Sequence, residues 1–464
     1  MRMEEYLTAV TEQIRCGRAR EPVRRELASH IEEQADAYEE SGMTREEAVE
    51  RAVAEMGDPV EAGVSMDRIH RPRMSWGALL TVGLLSLLGI AAAALTAGPD
   101  DAYSLRNQAI YTALGYAVMF LVYRLDYSVL ARYGRQAAAG VLLLLAAAVS
   151  AGVRYNGAVW GLMVGPFIVS VYGMLWLYVP LYGAVLYHYR GEGYRCFWKL
   201  ALWAAAPVLG ALACARTFYG AYLLLVLGIL TSAAVWNGWY RVNRKGTLAA
   251  LWAVLLAAPA ILAGYLAAGR LPAYQEARMR SWLTMSAANQ DHQAAAARRL
   301  LSGSRLIGSD APLGVAEAFS DSAGEYVLVS LASVCGVLAA AAALALMLFL
   351  ILKTFRICSR QKNQLGRMLG WSCGTVFLVQ FVLAAAVNLG LLPNLGVLLP
   401  FLSAGGTNLV VSYALLGLAL SVYRYRDLFP GEGTGRKRKT PSKGGQIASY
   451  TLLGLTFSVR RDPT

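Results

Sequence analysis

Polar and apolar positions along the 464-residue chain fall into three regimes. In residues 1–66 the apolar positions recur at helical spacing, with Tyr6, Leu7, Val10 and Ile14 on one face. A second helix is expected from about Glu21 to Glu40, stopping near Gly42. Thr44 with Glu47 forms a capping box for a third, and Gly57-Asp58-Pro59 ends that one and opens a short fourth. From residue 75 the pattern changes to apolar runs long enough to cross a bilayer. They lie near 75–97, 107–123, 136–153, 166–188, 196–214, 219–237, 246–267, 326–352, 371–391 and 406–423, about ten in all. Beyond 428 the chain is polar and basic, apart from the short apolar patch "YTLLGLTFSV", which suits a membrane surface better than a span.

This pattern predicts an all-α, polytopic membrane protein with a small soluble helical domain in front. The expected divisions are a helical prefix over 1–70, a transmembrane domain over 74–428 carrying a large extracellular loop at 268–325, and a basic tail over 429–464. Composition agrees: 56% of residues are hydrophobic, 16% are charged, and mean hydropathy is +0.43. Charge is unevenly spread. Residues 1–66 hold 16 acidic and 8 basic residues, whereas the whole chain is +13. The basic excess does not imply nucleic acid, because it sits in short loops between apolar runs. Arg124, Arg132 and Arg135, then Arg190, Arg195 and Lys199, then Arg241, Arg244 and Lys245, then Lys353, Arg356, Arg360, Lys362 and Arg367 occupy alternate loops, as the positive-inside rule requires. The loops on the other side carry one basic residue or none, such as Arg106, Arg154 and Arg216. No secretory signal opens the chain, so the prefix is expected in the cytoplasm, and the tail "GRKRKTPSKGG" beside it. Cys16, Cys196, Cys214, Cys335, Cys358 and Cys373 form no metal or redox spacing and read as small apolar fillers.

Three stretches break the regular alternation. Residues 268–325 form a long polar loop on the basic-poor side that nonetheless contains Arg270, Arg278, Arg280, Arg298, Arg299 and Arg305. Such arginines suit an anionic ligand such as a phosphate; pairing with Glu276, Asp291, Asp310 and Glu317, or with lipid headgroups, is the alternative. "GLLPNLGVLLPFLSAGGTN", 390–408, puts prolines and glycines at membrane depth, where irregular backbone must pack against protein or line a wet cavity. "SDSAGEYVLVSLASVCG", 320–336, sets Asp321 and Glu325 at the mouth of an apolar run. A carboxylate there is costly unless it has a role. Either Glu325 is a chemical base, or it caps the following helix through the dipole.

Two resemblances organise these observations. The run "RRELASHIEEQADAYEESGMTREEAVERAVAEMGDPVE" resembles the HAAS or permease-prefix module found ahead of bacterial membrane proteins. Residues 75–428 resemble the SEDS family of shape, elongation, division and sporulation proteins (the RodA, FtsW and SpoVE group). Gly390-Leu391-Leu392-Pro393, Gly396, Leu399-Pro400-Phe401-Leu402-Ser403 and Gly405-Gly406-Thr407 are similar to the family's C-terminal signature. Gln380 matches an upstream glutamine, while Ala384 stands where the family has an asparagine. Tyr274, Gln275, Arg278, Ser281 and Leu283 resemble the family's loop segment, Gln293 a further glutamine, and "SGSRLIG" a Gly-Ser-Gly-Gly turn. "NGAVW" and "GPF" resemble the region between the third and fourth spans. In the opening acid stretch, Glu325 falls on the family's catalytic aspartate, Tyr326 on the aromatic after it, Asp321 on a glutamate and Gly336 on a later glycine. The departures are Ser170-Val171-Tyr172-Gly173 for Gln-Pro-Ser-Glu and Thr217-Phe218-Tyr219-Gly220 for Pro-Asp-x-Gly.

The resemblance implies a peptidoglycan glycosyltransferase that polymerises lipid II outside the bacterial cytoplasmic membrane, with a class B penicillin-binding protein and other cell-wall machinery as partners. It implies Glu325 and Asp321 as catalytic carboxylates. Tyr274, Gln275, Arg278, Arg280, Gln380, Ser403, Gly405, Gly406 and Thr407 are implied as substrate-binding, Arg278 foremost as the cation on the leaving pyrophosphate. A divalent cation, magnesium or manganese, on that pyrophosphate would fit the chemistry, although the sequence shows no ligand set for one. Glutamate for aspartate moves the carboxylate by about 1.5 Å, and a misplacement of about 1 Å can cost on the order of a hundredfold in rate. Two other functions follow from the same resemblance: a flippase for lipid-linked precursors, and a non-catalytic scaffold of a wall-synthesis complex.

Overall fold

A computed structural model describes residues 1–70, 74–96, 102–155, 157–165, 167–267, 292–308, 319, 324–392, 394–425, 448–452 and 455–459. The chain divides into two compact units, Met1–Met74 with Arg424–Thr464, and Ser75–Tyr423.

The first unit holds four helices, α1 (Met3–Glu12), α2 (Gly17–Glu40), α3 (Arg45–Glu55) and α4 (Pro59–His70). Their boundaries follow local chemistry. Thr44 and Glu47 form the expected capping box at the start of α3. Asp58 Oδ1 accepts from the N–H groups of Val60 and Glu61 at 2.8 and 2.9 Å, which starts α4. Tyr6, Leu7, Val10 and Ile14 are fully buried with Val23, Leu27, Ile31 and Ala52. The tail contributes a two-stranded antiparallel hairpin, Ala448–Leu452 with Leu455–Val459, where the sequence showed only an apolar patch.

The second unit is a helical bundle. Its helices begin with α5 (Trp76–Thr96), α6 (Ala102–Arg124) and α7 (Val129–Ala151). After α7 the chain makes a three-stranded antiparallel sheet, β1 (Val153–Tyr155), β2 (Ala158–Val164) and β3 (Phe167–Ser170). Then follow α8 (Val171–His188), α9 (Cys196–Ala213), α10 (Thr217–Trp236), α11 (Arg244–Ala267), α12 (His292–Ser302), α13 (Val327–Cys335), α14 (Val337–Ser359), α15 (Gln364–Asn388) and α16 (Thr407–Arg424). Among the described residues, seven helices are long and apolar enough to cross a membrane by length and composition. The remaining expected runs are helical too, in α6, α8 and α11.

Three local expectations change. The run at 166–188 opens with a strand: Phe167–Ser170 completes the sheet and Ser170 Oγ, accepting from Gly173 N at 3.0 Å, caps α8. The loop at 268–325 contains a helix, α12, among its described residues. The run at 326–352 is not one span. It breaks at Gly336, whose φ of +98° an L side chain rarely adopts. The break is closed from outside: Val337 N donates to Arg305 O at 2.9 Å, Leu338 N to Leu306 O at 3.2 Å, and Gly308 N to Cys335 O at 3.1 Å. Irregular backbone at this depth is stable only when its polar groups are served in this way. A Cβ at Gly336 would also sit 2.6 Å from Leu306 O.

Small residues let the helices approach closely. A Cβ at Gly89 of α5 would meet Leu402 O at 2.8 Å, and one at Gly417 of α16 would meet Met119 O of α6 at 2.6 Å. These approaches seat the segment 390–406 against the bundle and fix the floor of the site.

Candidate active site

The site is assembled where α13, the end of α15, the start of α10 and the segment 390–406 converge. Gly324 packs on Ala404, where a Cβ would lie 2.6 Å from the carbonyl oxygen. That contact brings the acid stretch of 320–336 against the proline- and glycine-rich stretch, two motifs about 70 residues apart in sequence.

The Glu325 side chain makes no capping hydrogen bond to α13. The first free N–H groups of that helix belong to Leu328 and Val329, and both donate to Asn388 Oδ1, at 3.0 and 3.2 Å. Asn388 Nδ2 in turn donates to Glu325 O at 2.8 Å and to Ala384 O at 2.8 Å. One buried amide at the end of α15 therefore caps a neighbouring helix and pins the backbone of the acid. Below it, Tyr326 stacks on Phe319 with ring centroids 4.2 Å apart. Both rings are fully buried in a small core with Ala297, Val329 and Val387, beside Leu300, Leu301, Leu392 and Leu395.

With the capping position taken, the Glu325 carboxylate is left for other work. Its Oε2 is buried and has no hydrogen-bond partner among the described residues. Burial pushes the carboxyl above its ordinary value; the Asn394 side chain and the charge of Arg216 pull the other way. Tyr219 and Tyr222 of α10 also lie within electrostatic range. Arg216 is half-exposed. Its Nε donates to Val159 O of β2 at 3.1 Å and its guanidinium lies 5.4 Å from the centre of the Tyr219 ring.

Asn394 ties the site to the loop helix. Its Oδ1 accepts from Gly396 N at 2.9 Å, and its Nδ2 donates to Gln293 Oε1 of α12 at 3.0 Å. Arg298, on the same helix, donates through Nε and Nη2 to Gly390 O, the Nε bond at 3.1 Å. This arginine, one of those considered for an anion, is committed to backbone.

The structure places the sequence-derived site residues unequally. Gln380 is buried and donates to Tyr172 Oη at 3.2 Å, and that same oxygen accepts from Leu398 N at 3.2 Å. Ser403 Oγ accepts from Leu399 N at 2.9 Å. Thr407 donates to Ile168 O of β3. Gly405 packs on Leu398, and Gly406, at φ +45°, faces Tyr111. All five residues shape the segment 390–408 that flanks Glu325. Tyr274, Gln275, Arg278, Arg280 and Asp321 lie outside the described residues, as do Arg270, Ser281, Leu283 and Pro393.

Sequence reasoning passed over Asn388, Asn394 and Arg216. The first two are single amides at the ends of apolar stretches, in "AAVNLG" and "LPNLG", and such isolated polar positions are the signal to follow. Arg216 read as an ordinary loop cation.

The described residues offer little to a divalent cation. Among the described residues Glu325 is the carboxylate at this site, and the positive charge of Arg216 lies within its electrostatic range. Among the described residues no three His, Cys, Asp or Glu side chains come close enough to share a metal.

Comparison with known proteins supplies the lineage. The family model for the FtsW/RodA/SpoVE group, described as cell cycle protein, matches residues 72–428. A probable peptidoglycan glycosyltransferase FtsW from Thioalkalivibrio sulfidiphilus (strain HL-EbGR7) is 28% identical over 374 residues, covering 74% of this chain and 88% of the relative. A protein of the same name from Halorhodospira halophila (strain DSM 244 / SL1) is 25% identical over 391 residues, covering 79% and 93%. Among solved structures, a chain of a peptidoglycan synthase complex that coordinates polymerization and crosslinking superposes with TM-score 0.64 at 22% identity, covering 76% of this chain and 98% of that one. Rod shape determining protein RodA from Thermus thermophilus superposes with TM-score 0.54 at 20% identity, covering 76% and 97%.

Proposed function

The chain belongs to the cell cycle protein family of FtsW, RodA and SpoVE, and from that membership we propose that it is a peptidoglycan glycosyltransferase, polymerising lipid II at the outer face of the bacterial cytoplasmic membrane. Its partner on this reading is a class B penicillin-binding protein, and both of its termini lie in the cytoplasm. The names of the FtsW relatives support the activity, and the likeness to a chain of a peptidoglycan synthase complex supports the partner.

The observation that carries the reading is the Glu325 carboxylate: buried, relieved of capping by Asn388, and with one oxygen unpartnered. A raised carboxyl value suits a general base, because proton transfer is most effective when the base titrates nearer the working pH. In the transfer, a sugar hydroxyl of one lipid-linked chain attacks the anomeric carbon of another. The new carbon–oxygen bond forms as the bond to the diphosphate breaks. Glu325 takes the hydroxyl proton, and undecaprenyl diphosphate leaves with the electron pair. Asn394 and the backbone bond from Asn388 hold the base in place. Tyr274, Gln275, Arg278 and Arg280 belong to the donor-binding loop on this reading, with Asp321 as a second acid. Gln380, Ser403, Gly405, Gly406 and Thr407 build the wall that the sugar passes.

The test is polymer formation from lipid II by the purified chain with a class B penicillin-binding protein. Wild type is expected to make glycan polymer, and Glu325→Gln to make none. Precursor flipping by both proteins without polymer from either would make it a flippase. Inactivity in both assays, with the partner still bound, would make it a scaffold.

A further inference from the structure

We infer that Arg216 binds the diphosphate of the lipid-linked donor directly and stands in for a divalent cation, so that this chain's site works in the presence of a chelator. The inference rests on the glycosyltransferase reading for its substrate class, an isoprenoid diphosphate, and it goes beyond that reading in naming the residue and dispensing with the metal.

Three observations carry it. The first is the sparse set of oxygen donors among the described residues. Hard divalent cations need several carboxylate or carbonyl oxygens in one place. Gly173 and Phe218 stand where the resembled motifs have acids, and among the described residues no three His, Cys, Asp or Glu side chains come close enough to share a metal. What remains at the described site is one carboxylate, Glu325.

The second is that a cation is already installed there. Arg216 lies one residue before Thr217-Phe218, with its guanidinium 5.4 Å from the centre of the Tyr219 ring, and the Tyr219 hydroxyl donates at 3.4 Å to Gly396 O in the segment that flanks Glu325; its charge also acts on the Glu325 carboxylate. Among the described residues Arg216 closes no salt bridge. A guanidinium in this neighbourhood with both Nη groups uncommitted suits a diphosphate leaving group. Its planar fork makes two parallel hydrogen bonds to phosphate oxygens, and its charge meets the negative charge that grows on the departing oxygen.

The third is preorganisation. The last turn of α9 closes with Ala215 N donating to Leu212 O at 2.9 Å and Arg216 N to Ala211 O at 2.9 Å. That closure puts Ala215 at φ +57°, a position that helix ends usually give to glycine. The chain carries this strain and so delivers Arg216 to the edge of β2. There the Nε–Val159 bond and the face of Tyr219 hold the side chain, and neither contact occupies the two Nη groups. An arginine ordered before the ligand arrives loses less entropy on binding. It is also half-exposed, so a diphosphate can reach it.

The experiment measures binding of farnesyl diphosphate, a soluble isoprenoid diphosphate, to the purified full chain in detergent with excess EDTA. Wild type is expected to bind. Arg216→Gln should weaken binding by about tenfold or more, Arg216→Lys by less, and Glu325→Gln should bind at least as well as wild type. Unfolding midpoints of every variant are recorded on the same preparations. Binding by wild type that vanishes in EDTA and returns with magnesium or manganese overturns the inference; so does a folded Arg216→Gln that binds like wild type. Should Arg216→Gln not fold, the wild-type chelator result and Arg216→Lys still decide. A lipid II polymerisation assay on the same samples separates the two readings. Binding as described without polymer sinks the polymerase and leaves the diphosphate site. Polymer that requires a divalent ion keeps the polymerase and sinks the inference.

Discussion

Two stretches of irregular backbone meet in the helical bundle, 324–336 and 390–406; both borrow polar groups from neighbouring elements, but their own side chains behave differently. In 390–406 side chains serve backbone. Ser403 takes the Leu399 N–H, Asn394 takes the Gly396 N–H, and Arg298 and Tyr219 donate to the carbonyls of Gly390 and Gly396. In 324–336 the backbone is served by groups from elsewhere, Asn388 at one end and 305–308 at the other, and the local acid keeps a buried oxygen unpartnered. Backbone groups buried away from water must find partners in both places. An ionisable side chain left without that duty, in a place where burial penalises its charge, is a candidate for chemistry.

The contrast can be broken at four points, taken here from the largest effect to the smallest. Gly336→Ala puts a Cβ into the Leu306 carbonyl at a backbone angle that resists side chains, and should cost about 3 kcal/mol, read as a fall in the unfolding midpoint in detergent. Asn388→Ala strips the cap from α13 and should cost about 2 kcal/mol. It should also slow polymerisation on the order of a hundredfold, because the Glu325 backbone loses its tether; Asn388→Asp, which keeps the acceptor for Leu328 and Val329, should recover most of the stability and less of the rate.

The third point is pH. Burial raises the Glu325 carboxyl, and a base works only when deprotonated. The rate should therefore fall as pH drops through a value above the ordinary glutamate value of about 4.3. Arg216→Gln removes a charge that favours the carboxylate, and should move that limb further up; a limb that stays put would separate Arg216 from the base. The smallest effect belongs to Ser403→Ala, which loses one hydrogen bond worth about 1 kcal/mol and should leave the rate per folded molecule nearly intact.

Much of this was legible in the residues. Apolar runs gave the helices because length and composition alone decide what crosses a bilayer, and the Thr44–Glu47 capping box is a purely local device. The family motif drew attention to Glu325. What stayed hidden depended on long-range pairing. The break at Gly336 reads as one more small residue in an apolar run until 305–308 is seen to dock on it. The strands at 153–170 are short and exist through their register with one another. Asn388 lies 63 residues from the Glu325 carbonyl it holds, so no local pattern could show that the capping position was filled. Ser403 and Thr407, prominent in the signature, bond to the backbone of Leu399 and Ile168.

The most direct test of the central claim is to measure Glu325→Gln twice on one preparation, for its unfolding midpoint and for polymer formation from lipid II. If the carboxylate is a base held against its own burial, the midpoint stays level or rises, because a costly buried charge has gone, while the rate falls by a factor on the order of a hundred to ten thousand. A midpoint that drops would return Glu325 to a structural role, and a rate that survives would contradict the account outright.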